Sequence, residues 1–321
     1  MRLPFKRVAL WLSALLLALL GTLAAPLHAQ EPTITLEVEP LYGGIVKYGE
    51  WLPVRVEGEN PGEAQSGQLR IPFVGPSGTH YHAEQVELAA GARKAVTIPV
   101  TVRNTARRLT VSWLPDGATD PTAETVIEID AVPNIRLVVA AITSGGEGLA
   151  ALDDASFEEI QPARDVVVVP LDLESVPERA ELLGTLDMIA LSGVDTGLLS
   201  PAQRQALETF VARGGILVIG GGPDAARVLD GLPETLRPVT LSGEQSVEAL
   251  PALGQWGESE VRVSGPFPAT VGVPTTGAVT RLEQDALPLV VERAHGAGMV
   301  YWLALDPALS PFDAWAGVER F

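Results

Sequence analysis

The chain has 321 residues, more than one ordinary domain needs, and 46% of them are apolar, enough to bury more than one core. Its 22 Lys and Arg against 40 Asp and Glu leave a net charge of −18, a surface that repels nucleic-acid phosphates and anionic headgroups. Cysteine is absent, which excludes disulfide staples, a lipobox anchor and a thiol nucleophile.

Residues 1–29 read as a signal peptide. Arg2, Lys6 and Arg7 form a basic start, Val8 to Leu20 is apolar, and Leu27-His28-Ala29 offers a small residue for cleavage after Ala29. Kept uncleaved, Val8 to Ala25 is just long enough to anchor the chain in a thinned bilayer. Either way the expected address is extracytoplasmic: periplasmic, extracellular or membrane-anchored.

Residues 30–132 read as an all-β sandwich. Strands are expected at Ile34 to Val38, Leu52 to Glu57, Gln68 to Phe73, Tyr81 to Leu88, Ala95 to Val102, Arg108 to Trp113 and Glu124 to Ile129. Turn residues such as Asn60-Pro61-Gly62 and Pro115-Asp116-Gly117 separate them. In Leu52, Val54, Val56 and in Val96, Ile98, Val100 every second residue is apolar, so one face is buried and the other wet.

Residues 133–321 read as an α/β domain with a β-rich end. Arg136 to Ile142 and Asp165 to Pro170 are continuous apolar runs, as in strands covered on both faces, and Asp187 to Leu191 and Ile216 to Ile219 follow suit. Helices are expected at Gly146 to Asp153, Val176 to Leu183 and Pro201 to Arg213. The last has Ser200 as N-cap, Pro201 at its first position, Gln203 closing a capping box and Gly214-Gly215 as its stop. This alternation predicts a doubly wound parallel sheet. Further strands are expected at Pro238 to Leu241, Ser259 to Val263, Ala278 to Leu282, Leu287 to Arg293 and Met299 to Leu305.

Such sheets gather ligands at the carboxyl ends of their strands. The candidate ligand cleft is therefore Thr143, Ser144, Ser192, Gly193, Asp195, Gly220, Gly221, Gly222 and Asp224, with Gly145, Gly146, Leu171 and Asp172 at the same edge. Backbone amides there could hold an anion, although short strand-to-helix turns require the same residues for steric reasons. No catalytic residue, metal ligand or cofactor is assigned.

Leu186-Asp187-Met188-Ile189-Ala190-Leu191-Ser192-Gly193, Val211-Ala212-Arg213-Gly214-Gly215 and Ile216-Leu217-Val218-Ile219-Gly220-Gly221-Gly222 together resemble the class I glutamine amidotransferase-like superfamily. The resemblance covers about Asn134 to Arg237 and implies a flavodoxin-like α/β domain. Tyr48 to Val56 with Glu59 to Gly62 resembles a strand of bacterial immunoglobulin-like modules. Non-catalytic relatives pair the two domains in exported bacterial membrane proteins, and Asp306-Pro307 through Trp315 resembles their closing segment, after which a membrane-spanning helix commonly follows. Catalytic members carry a cysteine at a strand-to-helix elbow; glycines stand there in this chain, so the resemblance implies a binding module without the activity.

Other chemistries compete for the same frame. A hydrolase or metal-dependent enzyme would use Ser192, Asp195 and Asp224, with His295 as a remote candidate base. Asp172, Asp195 and Asp224 could converge on a hard cation, but solvated caps account for them more simply. Gly220, Gly222 and Ala225 mimic a dinucleotide fingerprint, in the wrong place in the fold and with Pro223 inside it. His80 and His82 share a strand face, too few ligands for a firm metal site, and Tyr81 between them is expected to be core. Trp51, Tyr81 and Trp113 would form a carbohydrate platform if exposed. The resulting expectation is a non-enzymatic envelope protein whose partner is an unidentified protein or small molecule, with no nucleic acid.

Overall fold

The computed structural model describes residues 33–102, 107–144, 149, 156–157, 164–262, 264–312, 315 and 317. The expected signal segment lies outside them. So does the expected helix at Gly146 to Asp153, apart from Leu149.

The first hundred described residues form two antiparallel sheets. One has the order β1 (Thr35–Pro40), β3 (Trp51–Glu59), β6 (Arg93–Thr101). The other runs β5 (Gly78–Leu88), β4 (Gln65–Gly75), β7 (Arg108–Pro115), β8 (Ala123–Glu128). A short parallel pair, β2 (Ile45–Lys47) with β9 (Asp130–Val132), leads onward. The alternating side chains face inward: Leu52, Val54 and Val56 of β3 and Ile98 and Val100 of β6 are buried in one core with Leu69 and Ile71 of β4 and Val111 and Trp113 of β7. Gly67 is required by that packing, because a Cβ there would lie 2.7 Å from the Trp113 ring. The Asn60 turn closes on itself, with the amide donating to the carbonyls of Glu63, Leu88 and Ala89 and the Oδ1 accepting from Gly62 N.

The remainder is built on an eight-stranded mixed sheet of order β11-β12-β10-β13-β14-β19-β18-β17. Strands β12 (Arg164–Pro170), β10 (Leu137–Thr143), β13 (Met188–Ser192), β14 (Ile216–Ile219) and β19 (Gly298–Leu303) are mutually parallel. Antiparallel β18 (Leu287–His295) and β17 (Ala278–Gln284) extend one edge, and β11 (Ser156–Phe157) the other. A separate two-stranded sheet, β15 (Val239–Val247) with β16 (Phe267–Pro274), packs beside the large one, with Thr270 N donating to Ala304 O at 2.8 Å. Three α-helices occur among the described residues: α1 (Pro201–Ala212), α2 (Ala225–Asp230) and α3 (Pro251–Trp256).

This corrects the expected fold class and the resemblance behind it. Among the described residues strands predominate and helices are few, and they form no flavodoxin-like, class I glutamine amidotransferase-like α/β domain. A doubly wound domain needs helices over both faces of its sheet, and the described residues supply only three, two of them six residues long. The expected helix at Val176 to Leu183 does not form: only Ala180–Leu183 winds, as a 3-10 turn, and a separate 3-10 turn, Leu173–Ser175, precedes the segment. Pro177 keeps Val176 extended, so the segment cannot continue the turn before it. The strand expected at Ser259 to Val263 is irregular over its described part, and β16, flanked by prolines, takes the pairing role instead. Helix α1 does form with its full capping box: Ser200 Oγ accepts from Gln203 N at 3.1 Å and Gln203 Oε1 accepts from Ser200 N at 2.8 Å.

The sandwich docks on the large sheet through polar anchors. Lys47 Nζ bonds Asp187 Oδ2, which also accepts from Val138 N at 2.8 Å. The Tyr42 hydroxyl donates to Leu182 O at 2.9 Å, and burial pushes its phenol far up, keeping it a neutral donor.

Candidate functional site

The carboxyl ends of the parallel strands do bring most of the predicted cleft residues together. Thr143 sits beside Ser192 in register, and Ser144 N donates to Ser192 O at 3.2 Å. Gly193 adopts φ +65° directly against Ser144, leaving no room for a Cβ. Gly220 N donates to Leu191 O at 2.8 Å, Gly221 N to Leu305 O at 3.1 Å and Gly222 N to Ala304 O at 3.3 Å. Thr270, itself buried, donates its hydroxyl to Gly222 O at 2.7 Å.

The glycine turn is therefore a seat for returning chain. A Cβ on Gly221 would lie 2.4 Å from Leu303 O, so glycine is there to admit the segment after β19. Amides that could have cradled an anion already hold backbone carbonyls.

Ser192 is 1% exposed, and its hydroxyl donates to Asp306 Oδ1, which also accepts from Ala308 N at 2.8 Å. Asp195 and Asp224 stand elsewhere. Asp195 caps the turn Thr196–Leu198 through Gly197 N, at 2.9 Å, and the Arg227 guanidinium lies 3.7 Å from Asp195 and 3.4 Å from Asp224. A cation bridging the two acids would have to displace that arginine. No hydrogen bond joins Ser192 to either acid among the described contacts, so the three residues of the hydrolytic alternative do not converge.

His295 ends β18 at the hairpin before β19, whose Met299 pairs with Ile216 at the start of β14. Ser192 lies at the opposite edge of the sheet. A Ser192–His295 pair is ruled out by that separation, and His295 instead approaches Glu208 at 4.0 Å.

Sequence reasoning missed Asp306, Thr270 and Arg227. Only Asp306 left a signal, an acid before proline directly after an apolar strand. No group of three or more His, Asp or Glu side chains gathers to hold a metal among the described residues. His80 and His82 instead stack on Phe73, with centroids 5.5 and 4.5 Å away. Tyr81 is not core: it is exposed, with the Arg70 guanidinium 4.7 Å over its ring. Trp113 is fully buried and Trp51 half-buried beside His82, so the three rings form no common platform.

Two clefts lie away from the strand-end residues. A cleft of about 420 Å³ separates the outer face of the three-stranded sheet, at Arg55, Thr97 and Pro99, from Glu174, Glu178 and Arg179. A second, of about 510 Å³, is lined by Trp51, His82, Glu84, Ile98 and again Arg179. No helix among the described residues is long and apolar enough to cross a membrane.

A family model described as a domain of unknown function, DUF8726, matches residues 33–130, the sandwich. No curated protein matches the chain. Among solved structures, a cytoplasmic protein from Salmonella typhimurium LT2 is similar at 16% identity and TM-score 0.41, covering 58% of this chain and 96% of its own. Another cytoplasmic protein from Salmonella typhimurium shows 15% identity and TM-score 0.41, covering 67% and 92%. The CARDB domain of a Pyrococcus furiosus protein, solved with di-metal ions, shows 15% identity and TM-score 0.25, covering 32% and 90%. Likenesses this distant carry no argument about function.

Proposed function

We propose that the protein is an exported, non-enzymatic component of the cell envelope that works by binding a partner. The observation that carries this reading is the state of the strand-end cleft: the Gly221 and Gly222 amides hold returning backbone, the Gly220 amide holds Leu191 O, Ser192 is buried against Asp306, and Asp195 and Asp224 share Arg227. Nucleophilic catalysis needs a reachable nucleophile beside a base. The basic and apolar start of residues 1–29 supports export.

The test is a panel of ester, amide and phosphoester substrates offered to the purified chain and to Ser192→Ala. No turnover by either is the expected result. Hydrolysis that disappears in Ser192→Ala would overturn the reading. For export, residues 1–29 fused to a reporter active only outside the cytoplasm should yield signal, and a silent fusion would count against it.

A further inference from the structure

Strand β6 is an edge of its sheet and pairs with β3 alone. In that register Pro53 lies opposite Pro99. Neither proline has an N–H, so theirs is the kind of antiparallel pair whose amide positions face away from each other. Alternation then turns the N–H groups of Arg93, Ala95, Thr97 and Thr101 outward. Among the described residues, no backbone hydrogen bond from another element reaches them.

The two clefts flank this same strand. Thr97 and Pro99 face the first with Arg55 and Arg179, while Val96 and Ile98 face the second with Trp51 and His82. Val96, Thr97, Pro99 and Arg179 line both, so the clefts meet along the open edge. An unpaired strand with a side-chain cleft on each face is what a sheet needs to accept one more strand. Main-chain bonds hold the added segment, and its side chains enter the two clefts alternately.

We propose that the β6 edge binds an extended segment of a partner protein as an added strand. Its apolar or aromatic residues would pack against Trp51, His82 and Ile98, and its polar residues would lie between Arg55 and Arg179. This rests on the interaction reading above and names the class of partner. A second copy of the chain is the poorer occupant, since each carries a net charge of −18 and like-charged chains repel.

The test uses the full chain and an array of synthetic decapeptides that alternate apolar and polar residues, with binding read by fluorescence anisotropy. Bound peptides are then N-methylated one amide at a time. Methylation of every second amide should weaken binding about tenfold or more, and methylation of the amides between should not. Thr97→Pro removes one outward N–H without touching the β3 ladder and should weaken binding to a similar degree, whereas Thr97→Val should bind normally. The methylation pattern decides the matter even if Thr97→Pro fails to fold.

The inference is overturned if no peptide binds, or if binding ignores the phase of methylation. A dimer abolished by Thr97→Pro would overturn it as well, by giving the edge to a second copy. The wider reading fails by a different result, hydrolysis lost in Ser192→Ala, so the two are separable.

Discussion

Lys47 and Asp187 lie 140 positions apart and meet at the junction of the sandwich with the large sheet. Lys47 is only 6% exposed, so its ammonium has little water to replace a lost carboxylate. Asp187→Asn should cost about 2 kcal/mol, less than for a fully enclosed pair because the Asp187 side chain is a third exposed. Urea midpoints measure this, and an unchanged midpoint would mean that Lys47 finds another acceptor. A second pair sets a pH dependence. Arg281 donates to Glu292 at 2.8 and 2.5 Å and holds its carboxyl below the ordinary 4.5, with burial opposing. A depressed folded pKa gives stability that is present above the unfolded value and is lost as pH falls through the folded one. Wild type should therefore exceed Glu292→Gln in melting temperature at neutral pH, with the two curves converging below about pH 4.5. A gap that persists undiminished into acid would refute the ionic origin.

At the scale of elements, legibility followed the range of the interactions. Helix α1 was readable because Ser200, Pro201 and Gln203 settle its start among themselves. The segment Val176 to Leu183 has apolar spacing suited to a helix, but only Ala180–Leu183 winds, as a 3-10 turn whose Leu182 carbonyl is held by Tyr42 of the sandwich. The strand-end residues lie along one edge of the sheet, and their condition there is not readable from the sequence. The Gly220 amide is held by its neighbour strand at Leu191 O, but whether Gly221 and Gly222 present free amides depends on chain returning at Ala304 and Leu305, some eighty residues later. That dependence can be measured. In Gly221→Ala the new methyl would meet the carbonyl oxygens of Leu303 and Ala304 at 2.4 and 2.5 Å, backbone atoms that cannot swing aside. A loss of about 3 kcal/mol, or failure to fold, is expected from calorimetry. A variant as stable as wild type would mean that the turn is looser than its contacts imply and open to ligand after all.

One contiguous buried cluster runs from Ile34 in the sandwich to Trp315 beyond the large sheet, and it includes Tyr42 and Leu183 at the junction. A polar strap crosses the same boundary where the Tyr42 hydroxyl meets Leu182 O. Units that share a core and buried hydrogen bonds lose both when either one opens, so the molecule should unfold as a single cooperative body. Calorimetry should give one transition whose van't Hoff and calorimetric enthalpies agree. Tyr42→Phe strands a buried carbonyl and should lower that whole transition, by about 1–2 kcal/mol, without splitting it. Two transitions, with only one displaced by Tyr42→Phe, would mean that the units melt independently. The clefts along β6 would then lie at a hinge, because Arg179 and Glu174 come from one unit and Arg55 and Thr97 from the other.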